Sequence, residues 1–205
     1  MLRRITFILF ALLPALALAQ EAPDVLVKRV TDELLGIIKA DKDLQAGNSR
    51  KIAELAEAKV LPHFDFNRMT RLAVGRNWQQ ASDAQKEQLV KEFRTLLVRT
   101  YSTSLTAYRN QSIEVKPAKM AAADKETTVR TAVIQPGGPS IPIDYAMEKA
   151  DAGWKVYDVV IDGVSLVTTY RSSFNEQVQR GGIDGLVKTL SERNKSPQPA
   201  APAKK

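Results

Sequence analysis

The sequence contains no cysteine and a single histidine among its 205 residues. The first absence excludes disulfides, thiolate nucleophiles, cysteine-ligated metals and an N-terminus lipidated through cysteine. The second leaves His63-Phe64-Asp65 as the one acid–imidazole pair close in sequence. Asp65 reads better as the cap of a following helix, and His63 as a loop residue after Pro62, than as a catalytic pair. No G-x-S-x-G elbow, H-E-x-x-H motif, P-loop or dinucleotide fingerprint is present. The expectation is a protein that is not an enzyme and that holds no metal or cofactor.

Long apolar runs are also missing outside the first twenty residues. There, Arg3 and Arg4 precede an uninterrupted apolar stretch from Ile5 to Leu13, Pro14 breaks it, and Ala17-Leu18-Ala19 supplies small residues before Gln20. The run is too short for a membrane span of about 20 residues and has the form of a secretory signal, with cleavage expected after Ala19. The mature chain is then expected to be soluble, in an oxidising extracytoplasmic compartment, and stabilised by its core alone. At the other end, residues 195–205 (KSPQPAAPAKK) lack aromatic and β-branched side chains and carry three prolines. Such a segment cannot bury enough apolar surface to offset its ordering entropy, and a disordered tail is expected. Residues 20–194 are expected to form one α+β domain.

Charge is nearly balanced. Setting aside Arg3 and Arg4 leaves 28 basic side chains against 23 acidic ones. Lys and Arg alternate with Asp and Glu rather than clustering with aromatics, which argues against nucleic-acid binding.

The first half of the chain has helical periodicity. Asp24 is expected to cap a stretch with Val27, Val30, Leu34 and Ile38 at helical spacing; Ser49 opens a second that stops before Pro62; Asp65 caps a short third that ends at Gly75. Ser82 and Gln85 form an S-x-x-Q capping box. Behind it Leu89, Phe93, Leu97, Tyr101 and Leu105 recur every four residues, with Tyr108 three further on. This is a helix of about 25 residues against an average of roughly 11–12, so one flank is expected to back a sheet.

From Ser112 the period becomes two. Strands are expected at Ile113–Val115, 127–135, 141–147 and 154–161, joined by the turns Pro136-Gly137-Gly138-Pro139 and Asp151-Ala152-Gly153. Four strands with short connections predict an antiparallel meander. Asp162 is expected to cap a closing helical pair broken at Gly181-Gly182. The fold class is α+β, a four-stranded antiparallel sheet packed against several helices. A filled core and a lined pocket share one binary pattern, so periodicity alone leaves open whether Tyr101 and Tyr108 pack or bind.

Two blocks carry a resemblance. Trp154 to Phe174 (WKVYDVVIDGVSLVTTYRSSF), followed by Gly181 to Leu190 (GGIDGLVKTL), resembles the MlaC family of periplasmic phospholipid carriers, also called toluene-tolerance proteins. The stretch from Val60 to Leu105 is similar to that family's other recurring block. The resemblance covers almost the whole mature chain in order, and D-G-V-S-L-V-x-x-Y-R is its most specific part. It implies a non-enzymatic carrier, with phospholipid as cargo rather than cofactor. The carrier would shuttle between an outer-membrane lipoprotein–porin complex and an inner-membrane ABC transporter with its periplasmic lipid-binding subunit, maintaining outer-membrane lipid asymmetry. Acyl chains would enter a pocket between sheet and helices. Phe93, Leu97, Tyr101 and Leu105 would form one wall; Ile141, Ile143, Tyr145, Tyr157 and Val159 would form the other. Val164, Ser165 and Leu166 would lie near the mouth. Ser165 could bond the lipid ester or phosphate region, or simply cap a helix. Arg171 could meet a phosphate or form a surface salt bridge. No nucleic-acid partner and a monomeric state are expected. The alternative is a periplasmic protein-interaction or chaperone module without a lipid cavity.

Overall fold

The computed structural model describes residues 20–106, 111–121 and 123–196. The expected signal segment, and the tail beyond Ser196, lie outside the described residues.

The helices of the first half are α1 (Pro23–Ala40), α2 (Lys42–Gln45), α3 (Ser49–Lys59), α4 (Phe66–Val74) and α5 (Asp83–Thr106). Their starts follow local chemistry. Pro23 occupies the first turn of α1, where its missing N–H costs nothing. Asp24 does not cap α1; its carboxylate instead accepts the Ala118 N–H at 3.2 Å, pinning α1 to the segment after the first strand. α3 opens at Ser49 as expected, and Asn48 caps it by accepting the Lys51 N–H at 3.2 Å. Asp65 caps α4 by accepting the Arg68 N–H at 2.8 Å. The capping box of α5 is complete: the Gln85 N–H donates to Ser82 Oγ at 3.2 Å, and the Ser82 N–H donates to Gln85 Oε1 at 2.9 Å.

The sheet comprises β1 (Ser112–Val115), β2 (Glu126–Ile134), β3 (Ile141–Ala150), β4 (Gly153–Ile161) and β5 (Val164–Ser165), in sequential order and antiparallel throughout. It therefore has five strands rather than four. The extra pair forms because Asp162 (φ 51°) and Gly163 (φ 79°) both adopt positive φ. Aspartate–glycine is the favoured pair for a two-residue hairpin turn with both centres left-handed. Asp162 is thus a turn residue, and the cap of the last helix, α6 (Leu166–Lys195), is Ser165. Gly182 (φ 66°, ψ −169°) breaks α6, and its second half folds back so that Thr189 Oγ1 lies 3.3 Å from Gln177 Oε1. The expected helical pair is this broken helix.

The apolar residues separate into two main cores. One is helical: Met69 and Ala73 of α4, Leu89 and Phe93 of α5, and Phe174 and Leu186 of α6 are fully buried together. Phe93 meets Tyr170 and Phe174 edge-on, with centroids 5.0 Å apart in each pair. The other core lies between α1 and the sheet, where Leu26 and Val27 cover Val129, Met147, Trp154 and Val156. The long helix α5 packs on α3, α4 and α6 and, among the described residues, forms no comparable interface with any strand. The expectation that its flank backs the sheet fails because its apolar stripe is taken up by α4 and α6. The cores meet at Phe64, which packs against both, and at the start of α6, where Leu166 joins the sheet core and Val167 the helical one.

Arg68 ties α4 to the sheet. Glu126 and Glu148 face each other across β2 and β3, an arrangement that is repulsive without a cation. The Arg68 guanidinium donates to Glu126 at 2.7 Å and to Glu148, and stacks over the Tyr157 ring at 3.6 Å. Replacing Arg68 by Ala leaves two facing carboxylates and should cost about 1–3 kcal/mol in urea denaturation, with much of the loss recovered when Glu148→Gln is added.

Candidate functional site

Strand register assigns one face of the sheet. Val129 pairs with Tyr145 and Tyr145 with Val159; Thr131 pairs with Ile143 and Ile143 with Ile161; Val133 pairs with Ile141, and Ile113 with Val133. Side chains alternate along a strand, so these rows share a face. That face is unevenly covered. At the end under α1, Val129, Met147 and Val156 are buried. Towards the other end Ile113, Val133, Ile141, Ile143 and Ile161 are only half-buried, a run of large aliphatic side chains on one surface that the described helices leave partly open.

Tyr145 is the most informative residue of the set. It lies so deep that burial alone raises its hydroxyl pKa, yet part of its surface stays accessible. Two more tyrosines are half-buried on the helical side of the fold. Tyr101 of α5 and Tyr170 of α6 are neighbours, half-buried against the helical core. The Tyr101 hydroxyl is pushed up to about 12, first by burial and then by the neighbouring Tyr170; burial likewise raises Tyr170. Leu166, four residues before Tyr170 and on the same helix face, packs against the sheet core. The candidate site comprises the half-buried aliphatic residues and Tyr145 on the sheet face, with Leu166 against the sheet core and Tyr101 and Tyr170 against the helical core.

Of the expected wall residues, Ile141, Ile143, Tyr145 and Val159 share one sheet face, Leu166 packs against the sheet core and Tyr101 against the helical core. Phe93 and Leu97 are buried in the helical core. Leu105 belongs to α5, but its side chain, like Tyr108, lies outside the described residues. Tyr157 is not on the sheet wall. A bulge opposite Ala146 and Met147 inserts it as an extra residue and turns it to the opposite face, against Arg68 and Glu126. Alternation read along β4 cannot reveal an inserted residue, whereas Ile161, two after Val159, and Val133 were reachable by the same alternation that found Ile143.

Ser165 is committed to structure. Its hydroxyl donates to Asp158 Oδ2 at 2.6 Å and accepts the Thr168 N–H at 3.0 Å, which favours the capping reading. Val164 is 57% exposed, at the tip beside the hairpin turn. Arg171 forms no salt bridge among the described residues; its Nε–H donates to the Leu72 carbonyl at 2.9 Å.

His63 and Asp65 do not form a dyad. Asp65 is occupied as the α4 cap. His63 lines a surface cleft of about 820 Å³ with Arg29, Lys125, Lys149 and Lys155. Burial, then Arg29 and Lys155, push its imidazole below the usual histidine range, and among the described residues no hydrogen-bonded carboxylate orients it. Among the described residues there is no cluster of His, Asp and Glu able to hold a metal ion.

The tyrosines set a pH dependence. Their folded-state pKa values are raised, so the unfolded chain ionises first and stability falls as pH climbs from about 10, the phenol's ordinary value. For Tyr101 the loss is complete near pH 12. Phenolate absorbance of the folded protein should lag that of the urea-unfolded chain across this window, and Tyr101→Phe should reduce the lag.

Comparison with known proteins now bears on this geometry. The MlaC protein family matches residues 28–192. The chain is 30% identical over 190 residues to the toluene tolerance protein ttg2D of Pseudomonas putida, covering 92% of this chain and 87% of that protein. It is 26% identical over 197 residues to the intermembrane phospholipid transport system binding protein MlaC of Haemophilus influenzae, covering 94% and 92% respectively. It also resembles the solved structure of a phospholipid-binding protein from Ralstonia solanacearum in complex with a phospholipid. There the TM-score is 0.79 and the identity 41%, over 85% of this chain and 97% of that one. With a family match over most of its length and relatives aligned nearly end to end, the chain belongs to the MlaC family.

Proposed function

We propose that this protein is a periplasmic phospholipid carrier that shelters acyl chains between its sheet and its helices. The observation that carries the reading is the sheet face around Tyr145, where a run of large aliphatic residues, Ile141, Ile143, Ile161 and Val133, is only half-buried. An apolar surface of this kind gains about 25 cal/mol per Å² when something apolar covers it. Each acyl CH₂ withdrawn from water contributes about 0.8 kcal/mol. The relative from Ralstonia solanacearum, solved with a phospholipid, supports the same ligand class for this fold.

In this reading the chains lie against Ile141, Ile143, Tyr145 and Val159 on one side and Tyr101, Leu166 and the end of α5 on the other. Phe93 and Leu97 act as the rigid layer behind Tyr101, and Val164 marks the rim. The apolar walls do the binding, which suits bulk phospholipid. The carrier passes its cargo between an outer-membrane lipoprotein–porin complex and an inner-membrane ABC transporter. Export by cleavage after Ala19 is consistent with Gln20 and Glu21 being tied to the fold: Gln20 Nε2 donates to the Ala150 carbonyl at 3.0 Å, and Glu21 pairs with Arg29 at 2.8 Å. Residues 20–194 form the carrier domain.

Native mass spectrometry of the mature protein, purified from a diderm host without detergent, tests this directly. A bound mass of one phospholipid, released by organic extraction, is expected. Ile143→Trp should fill the space and remove most of that lipid while the protein keeps a cooperative melt. Tyr157→Ala, on the opposite sheet face, should retain it. An unliganded mass that persists after incubation with phospholipid vesicles would overturn the reading.

A further inference from the structure

Arg171 is explained neither by the apolar space nor by an ion pair. Its Nε–H is taken by the Leu72 carbonyl at 2.9 Å, one of the last-turn carbonyls that α4 cannot pair internally. The bond fixes the plane of the guanidinium and leaves its two terminal nitrogens without a protein partner among the described residues. Arg76, on the turn that follows α4, likewise has no carboxylate partner there. These two arginines line a notch of about 430 Å³ together with Asn77, Ser172 and Asn175, and no acidic residue contributes to it. Asn77 is buried, and its Nδ2 donates to Asn175 Oδ1 at 3.2 Å, which leaves the Asn175 amide nitrogen available as a donor. Arg171 and Asn175, four residues apart, share one face of α6.

Val74 and Gly75 give the lining an apolar part, and its polar groups are mainly donors: two guanidinium forks, a hydroxyl and an amide. A carboxylate is satisfied by one fork, whereas a tetrahedral oxyanion has enough acceptor oxygens to engage both forks and the neutral donors. We propose that this notch, between the C-terminal end of α4 and the outer face of α6, binds a phosphoryl oxyanion. Two sources share that chemistry, the phosphodiester of a lipid head group and free phosphate. The notch uses none of the residues assigned to the acyl chains, so the inference stands or falls independently of the carrier reading.

The test is an NMR titration of the mature full-length protein at constant ionic strength, following the Arg76 and Arg171 Nε–H and Asn175 amide signals. Inorganic phosphate and glycerophosphoglycerol, a deacylated head group, are added separately, with chloride as control. Saturable shifts absent with chloride are expected. Binding of the diester assigns the notch to lipid head groups; binding of phosphate alone assigns it to the free anion. Arg171→Gln should abolish the response. Arg76→Gln, an exposed change that leaves the Leu72 bond intact, should weaken binding about tenfold or more, the loss of a charge-assisted contact. It decides the matter if Arg171→Gln unfolds the chain. Shifts that fail to saturate, shifts that chloride reproduces, or unchanged affinity in Arg76→Gln would overturn the proposal.

Discussion

One carboxylate holds the last helix, α6, in place relative to the sheet. Asp158 accepts the Ser165 hydroxyl at 2.6 Å, the Val159 N–H at 2.8 Å and the Val167 N–H at 3.1 Å. The bonds to Ser165 and Val167 join β4 to the start of α6 through charge-assisted contacts, stronger than ordinary amide pairs. Asp158 is in position because the bulge in β4 places it there, and the Asp162-Gly163 turn brings Ser165 back beside Val160. Leu166 can then face the sheet core while Val167 faces the helical core. The joint lets two separately packed cores sit side by side without merging.

That separation explains how the fold tolerates an incompletely covered sheet. The helical core is closed by aromatic contacts among Phe93, Tyr170 and Phe174, and the near end of the sheet is closed by α1. Neither depends on filling the region around Ile143 and Tyr145. A space in an ordinary core costs stability because its lining loses contacts on one side. Here the loss is confined to a few half-buried residues, and an apolar ligand can restore it. Arg68, bridging Glu126 and Glu148 on the other face, fastens α4 to the sheet without drawing on that region.

Much of this was legible in the sequence. The capping box at Ser82 and Gln85, the cap at Asp65 and the alternation in β3 are local signals, and each has the predicted geometry. The misses have physical causes. Asp162-Gly163 is a strong hairpin signal, but its second strand is only two residues long and was absorbed into the helix that follows. The bulge at Tyr157 shifts one side chain across the sheet and leaves no local mark. The burial of Phe93 and Leu97 in the helical core depends on which face of α5 meets α6, which one helix's periodicity cannot specify. Arg68 and Asp158 act through partners distant in sequence, and only the fold brings those together.

The central claim is the location of the acyl chains, and anomalous scattering from a brominated phospholipid co-crystallised with the mature protein measures it. The account predicts bromine peaks in van der Waals contact with Ile143, Tyr145 and Tyr101. Peaks confined to the cleft beside His63, or to the Tyr157 face of the sheet, would contradict it.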